Sequence, residues 1–165
     1  MRKRRPATET EASALASGIR LRIIRLTYAE ALTNKEIAQR LGRDPATTLH
    51  HVRKLVDAGF LAPQPARRGR RGAKEIPYRS TGLSWELQGE RDRGLAEAML
   101  EAFLAEVAEV GPGGLGQTRL VVRVDPDQRR EFEERLEALL EEFRERSTPR
   151  GAEQFAIYVA TYPSR

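Results

Sequence analysis

The chain has 165 residues, 39% of them hydrophobic, which suffices for one ordinary domain or two small ones with a buried core. No window approaches the roughly 20 apolar residues that span a bilayer, and the basic start MRKRRPATETEAS has no apolar stretch behind it, so a cytoplasmic protein without membrane association is expected. With no cysteine and only two histidines, a disulfide framework and thiolate metal sites are excluded, and neither a metal nor a cofactor is expected.

The net charge of +5 hides an asymmetry. Residues 1–81 hold 18 Lys/Arg against 7 Asp/Glu, whereas residues 82–165 hold 11 against 17. One half seeks a polyanion and the other does something else.

Residues 1–9 are basic and nearly free of apolar side chains, and they read as a disordered arm. Leu15, Ile19, Ile23, Ile24 and Leu26 then recur at helical spacing, with a break at Gly18, predicting one or two helices that end near Ala31. Thr33 followed by Glu36 is a capping-box pattern, so a short helix starts there with Ile37, Ala38 and Leu41 inward and stops at Gly42. Asp44 caps a second helix, Pro45 suits its first position, and Gly59 ends it. Two short helices around a tight turn make a helix-turn-helix. The extended stretch from Phe60, the glycine-rich ARRGRRGAK and the returning EIPYRS make the wing that follows.

The run IRLRIIRLTYAEALTNKEIAQRLGRDPATTLHHVRKLVDAGFLAPQPARRGRRGAKEIPYRSTG, residues 19–82, resembles the ArsR-type winged-helix regulators, above all in HHVRKLVDAGFL. The resemblance implies a transcriptional regulator that most often represses by occluding a promoter. Metal sensing does not carry over, because the Cys-rich motif and the later His/acid pair of metal-sensing members are both missing.

In the second half, RGLAEAMLEAFLAEVAEV is a helix with a broad apolar face made by Leu95, Met99, Leu100, Phe103, Leu104 and Val107, which is assigned to a dimer interface. GPGG breaks the chain. TRLVVRV reads as a strand, DPDQRREFEERLEALLEEFRER as an amphipathic helix burying Phe132, Leu136, Leu139, Leu140 and Phe143, and QFAIYVATY as a second strand, together a β-α-β unit.

On an ideal helix Thr48, Val52 and Leu55 fall together on the core side, while Ala46, Thr47, His50, Arg53 and Lys54 fall broadly opposite. That outer face carries donors and methyl groups suited to base edges in a major groove. Thr33, Asn34 and Lys35 are assigned to the same DNA surface. In the wing, Arg67, Arg68, Arg70, Arg71 and Lys74 can lie along phosphates or enter a minor groove. His50 and His51 point about 100° apart and find no third ligand, so they do not hold a metal, and His51 reads as a half-buried structural residue. No catalytic constellation or phosphate-binding loop is present, so the chain reads as no enzyme.

The expected architecture is α+β: the arm, residues 1–9; a winged helix-turn-helix, residues 10–84; and a dimerisation helix followed by a small β-α-β unit, residues 85–165. The expected partners are double-stranded DNA and a second copy of the chain. Two alternatives stay open. One is a regulator with an unidentified small-molecule effector in a cleft beside Met99, Phe103, Tyr158 and Tyr162; the other is a winged-helix protein interaction module without DNA binding.

Overall fold

Helices of the N-terminal half begin where a side chain takes the first unpaired N–H groups, as the capping rules require. In the computed structural model, which describes residues 4–69, 72–88, 93–146, 152–153 and 155–164, Thr8 caps α1 (Glu9–Leu15) and Thr33 caps α3 (Asn34–Leu41), each in a reciprocal capping box with the glutamate at the third helical position. Asp44 caps α4 (Pro45–Asp57), its carboxylate accepting from the Thr47 N–H at 2.9 Å. Between α1 and α3 lies α2 (Gly18–Ala29). Gly42 closes α3 at φ +60°, a left-handed conformation in which its N–H donates to the Ala38 and Gln39 carbonyls; a side chain would be strained there.

The strands are short. β2 (Leu32–Thr33) and β3 (Leu61–Pro63) flank β6 (Pro77–Ser80) in an antiparallel sheet, with Leu32 opposite Tyr78 and Leu61 opposite Ser80. Between β3 and β6 the chain makes the wing, where β4 (Arg67–Arg68) pairs with β5 (Lys74–Glu75). A 3-10 turn over Leu83–Glu86 leads to β7 (Leu87–Gln88), and α5 (Arg93–Val110) follows. One core joins these parts: Ala14, Leu15, Ile23, Ile24, Leu32, Ile37, Leu41, Val52, Leu55, Phe60, Leu61, Leu87 and Leu95 form a single buried cluster. Arg20 is buried beneath α1, where its guanidinium donates to the Ala14 and Ser13 carbonyls and so occupies the free acceptors at the end of that helix.

Three expectations are corrected. The arm is not disordered over its described part. β1 (Arg5–Pro6) pairs in parallel with β7, Arg5 binds Glu11 through two hydrogen bonds of 2.8 and 2.5 Å, and the Arg4 guanidinium lies 4.3 Å from the centre of the Trp85 ring. Residues 1–3 lie outside the described residues. The arm holds because its cations meet a carboxylate and a π face, features that composition alone does not display.

Second, the inward stripe of α5 is Leu95, Ala98 and Ala102, leaving Met99, Leu100 and Leu104 exposed. Small alanines let α5 lie close to α2. Around them Glu106 and Glu109 pair with Arg25 and Arg22, and Glu101 accepts from the Gly18 N–H. Burial pushes the Glu106 carboxyl up despite the nearby Arg25 and Arg22. α5 therefore belongs with the winged helix. The chain divides into one compact unit ending at Leu115 and a second beginning at Gly116.

Third, the β-α-β unit is realised only as its helix, α6 (Pro126–Glu145), capped by Asp125. Segments 118–124 and 155–162 carry no strand assignment. Two isolated strands have too few neighbours to hold a ladder in water.

The arm contact generates a pH prediction. Hydrogen bonding from Arg5, helped by Thr8 and opposed by burial, lowers the Glu11 carboxyl to about 2 from its ordinary 4.5. A carboxylate depressed in the folded state stabilises it fully above its ordinary value, and that contribution is lost as pH falls towards the folded value. Wild type is therefore expected to lose thermal stability between about pH 4.5 and pH 2 more steeply than Glu11→Gln, as followed by circular dichroism.

Candidate nucleic-acid interface

The orientation of α4 follows from what it buries. Thr48, Val52 and Leu55 are sealed in the core, and the Thr48 hydroxyl donates to the Asp44 carbonyl at 2.9 Å, so no polar group is stranded. Gly59, at φ +80°, and then Phe60 turn the chain into β3, with the Phe60 N–H donating to the Leu55 carbonyl. With that face fixed, Ala46, Thr47, His50 and Arg53 are exposed along the opposite side, as the spacing predicts, and Leu49, His51 and Val56 lie half-buried on the flanks.

The other predicted contacts are placed less uniformly. Lys35 is exposed at the start of α3. Asn34 donates from its amide to the Pro45 carbonyl at 2.8 Å, bracing the start of α3 against the start of α4, while its Oδ1 is buried without a hydrogen-bond partner. Thr33 is corrected: it is a buried cap, its hydroxyl accepting from the Glu36 N–H and donating to the Glu36 carboxylate, and it is not free for DNA. Lys54 is half-buried and its ammonium reaches the Ser13 hydroxyl at 3.4 Å, away from the open face. Thr47 donates from its hydroxyl to Asp44 at 3.3 Å, which fixes its rotamer at the helix start.

In the wing, Arg68 and Lys74 are exposed, and Arg70 and Arg71 lie outside the described residues. Arg67 is corrected from a free phosphate contact to an anchored one, since its guanidinium meets both Glu36 oxygens at 2.5 and 2.6 Å. Burial pushes the Glu36 carboxyl up, but hydrogen bonds from Thr33 and Arg67 outweigh it and hold the group below the ordinary carboxylate range. One carboxylate thus caps α3 and ties down the base of the wing.

Arg43 is a further exposed cation, in the turn directly before α4. His51 stacks edge-on against His50 with ring centres 5.8 Å apart. Burial, then the neighbouring Arg20, His50, Arg43 and Lys54, push the His51 imidazole below its ordinary value. Its Nδ1 is buried without a hydrogen-bond partner. Among the described residues no group of three or more His, Cys, Asp or Glu is arranged to hold a metal ion, and no helix is long and apolar enough to cross a membrane.

The arrangement defines the winged helix-turn-helix class. Residues 15–64 match the helix-turn-helix domain family. The chain is also similar to a ZitR variant from Lactococcus lactis (19% identity over 77% of this chain and 75% of that one, TM-score 0.35). A MarR transcriptional regulator from Methanosarcina mazei is 21% identical over 76% of this chain and 74% of that one, with a TM-score of 0.35. The adhesin competence repressor AdcR from Streptococcus pyogenes is 14% identical over 76% and 80%, with a TM-score of 0.33. No curated protein sequence matches the chain.

The exposed α4 face separates reading from holding. Arg53→Ala or His50→Ala is expected to reduce discrimination between a selected operator and random DNA by about 1 to 3 kcal/mol, measured by competition binding. Equal losses on both DNAs would assign these side chains to phosphates instead.

Proposed function

We propose that the chain is a sequence-specific DNA-binding transcriptional regulator that binds a pseudo-palindromic operator as a homodimer and represses by occluding a promoter. The observation that carries this reading is the α4 face itself: Ala46, Thr47, His50 and Arg53 are open while the opposite side is sealed in the core, and the basic wing is tied through Arg67 to Glu36 of α3. A helix presented this way fits a major groove, and two-fold symmetry places two such helices about 34 Å apart. Repression, and kinship with ArsR-type regulators, rest on the resemblance of residues 19–82. Met99, Leu100 and Leu104, exposed on α5, supply the apolar stripe for pairing; Leu95, committed to its own core, is withdrawn from it. Half-buried Phe103 and Val107 border that stripe.

The direct experiment selects bound fragments from genomic DNA with the purified protein, then compares the recovered sequence with random DNA in a gel shift at moderate salt. A shared pseudo-palindrome bound in preference to random DNA supports the reading. No shift on either DNA would leave a winged-helix protein interaction module.

Three further outcomes follow from the geometry. Leu100→Asp with Leu104→Asp is expected to weaken the dimer in sedimentation and, with it, operator binding, because one half-site loses its tethered partner. In the wing, replacing Arg68, Arg70 or Arg71 by alanine is expected to reduce the slope of log K against log salt by roughly 0.9 for each phosphate left unneutralised, on specific and random DNA alike. Glu36→Gln, which releases Arg67, is expected to weaken operator binding while keeping every cation. Unchanged affinity and slope in the triple arginine variant would remove the wing from the interface.

A further inference from the structure

The unit beginning at Gly116 has an unusual surface. None of its described residues is buried, yet it displays Leu120, Val121, Val122, Val124, Phe132, Leu139, Phe143, Phe155, Ile157, Val159 and Tyr162, with Leu120 77% and Phe155 72% exposed. A segment this short cannot stabilise itself without a core. Its apolar groups are ordered by period. Leu120, Val122 and Val124 alternate along one extended segment and Phe155, Ile157 and Val159 along the other, so each segment, drawn out as a strand, presents one apolar face. On α6, Phe132, Leu136, Leu139 and Phe143 fall on one side, and the first three line an open apolar trough with Gln128, Glu131 and Arg135.

We propose that a second copy of this chain covers that surface: segments 119–124 and 155–161 of two chains form one four-stranded sheet, and the two α6 helices lie across its apolar face. Two observations select a second copy. The exposed apolar side chains amount to on the order of 900 Å² per chain by ordinary side-chain areas, against the roughly 800 Å² per partner that a stable interface buries. Charge points the same way. Residues 116–165 hold nine Lys/Arg against ten Asp/Glu, and the α6 charges pair along their own helix, as Arg129–Glu133, Arg135–Glu131 and Arg146–Glu142, so the unit neither repels its copy nor asks for a polyanion. Two strands with a crossover helix are marginal alone, whereas two such units together have the content of the split β-α-β arrangement, four strands under two helices.

This deepens the dimer reading above and is tested on the full chain without DNA. Sedimentation and amide hydrogen exchange are followed across a dilution series from micromolar to nanomolar protein. A micromolar dimer is expected in which amides 120–124 and 155–160 exchange roughly tenfold or more slowly than after dilution. Val122→Asp and Ile157→Asp are each expected to raise the dimer dissociation constant about tenfold or more, while Ile157→Val keeps it. A wild-type monomer, a dimer whose two segments exchange freely, or protection that survives in the monomer overturns the proposal. A wild-type dimer that binds no DNA would overturn the regulator reading and leave this one standing.

Discussion

Sealing Thr48, Val52 and Leu55 in the core is the constraint on which the interface depends. A helix has one rotation about its axis to choose, and three inward side chains, spaced four and then three residues apart, fix it. The buried threonine is tolerated on that side because its hydroxyl is satisfied by the carbonyl of Asp44, the cap of the same helix, a bond that turns with the helix and leaves no polar group unpaired in the core. The open positions are therefore set by the apolar ones. Ala46, Thr47, His50 and Arg53 are presented by what the other side buries, which leaves their outward chemistry to a partner.

Glu36 performs the corresponding task between helix and wing. Its carboxylate is shared between the Thr33 cap and the Arg67 guanidinium, so the start of α3 and the base of the wing meet on one group. Each bond alone is modest at a partly exposed site. Their value is geometric: a hairpin as short as β4–β5 has little packing to orient it, and one guanidinium nitrogen shared between both carboxylate oxygens tethers its base at that point.

The legible parts of the sequence were those governed by local rules. Thr33 with Glu36, Asp44 with Pro45, and the glycines at 42 and 59 announce helix ends because capping joins near neighbours, and the α4 faces follow from spacing alone. What escaped depends on groups that composition does not join. Arg5 on Glu11 and Arg4 over Trp85 turn a basic arm into a strand beside β7; Arg67 finds Glu36 across 31 residues. The inward side of α5 was not legible for a related reason. Leucine and methionine mark apolarity, but close approach to α2 selects the alanines, and the carboxylates beside them are drawn in by Arg22 and Arg25.

That last pairing bears on how the two ends of a regulator would communicate. α2 touches both α4 and α5, with Ile23 and Thr27 fully buried in it. The Thr27 hydroxyl donates to the Ile23 carbonyl of the same helix, so that buried polar side chain is satisfied within α2. On its outer side Arg22 and Arg25 fasten it to Glu109 and Glu106. In the proposed dimer, a pairing on the exposed side of α5 would reach α4 through α2 rather than through a loop. Packed interiors transmit displacement because they have little free volume to absorb it. A change in how two α5 helices meet would then alter the spacing of the two α4 faces, and with it the half-site spacing the pair can accept, without any change within either reading face.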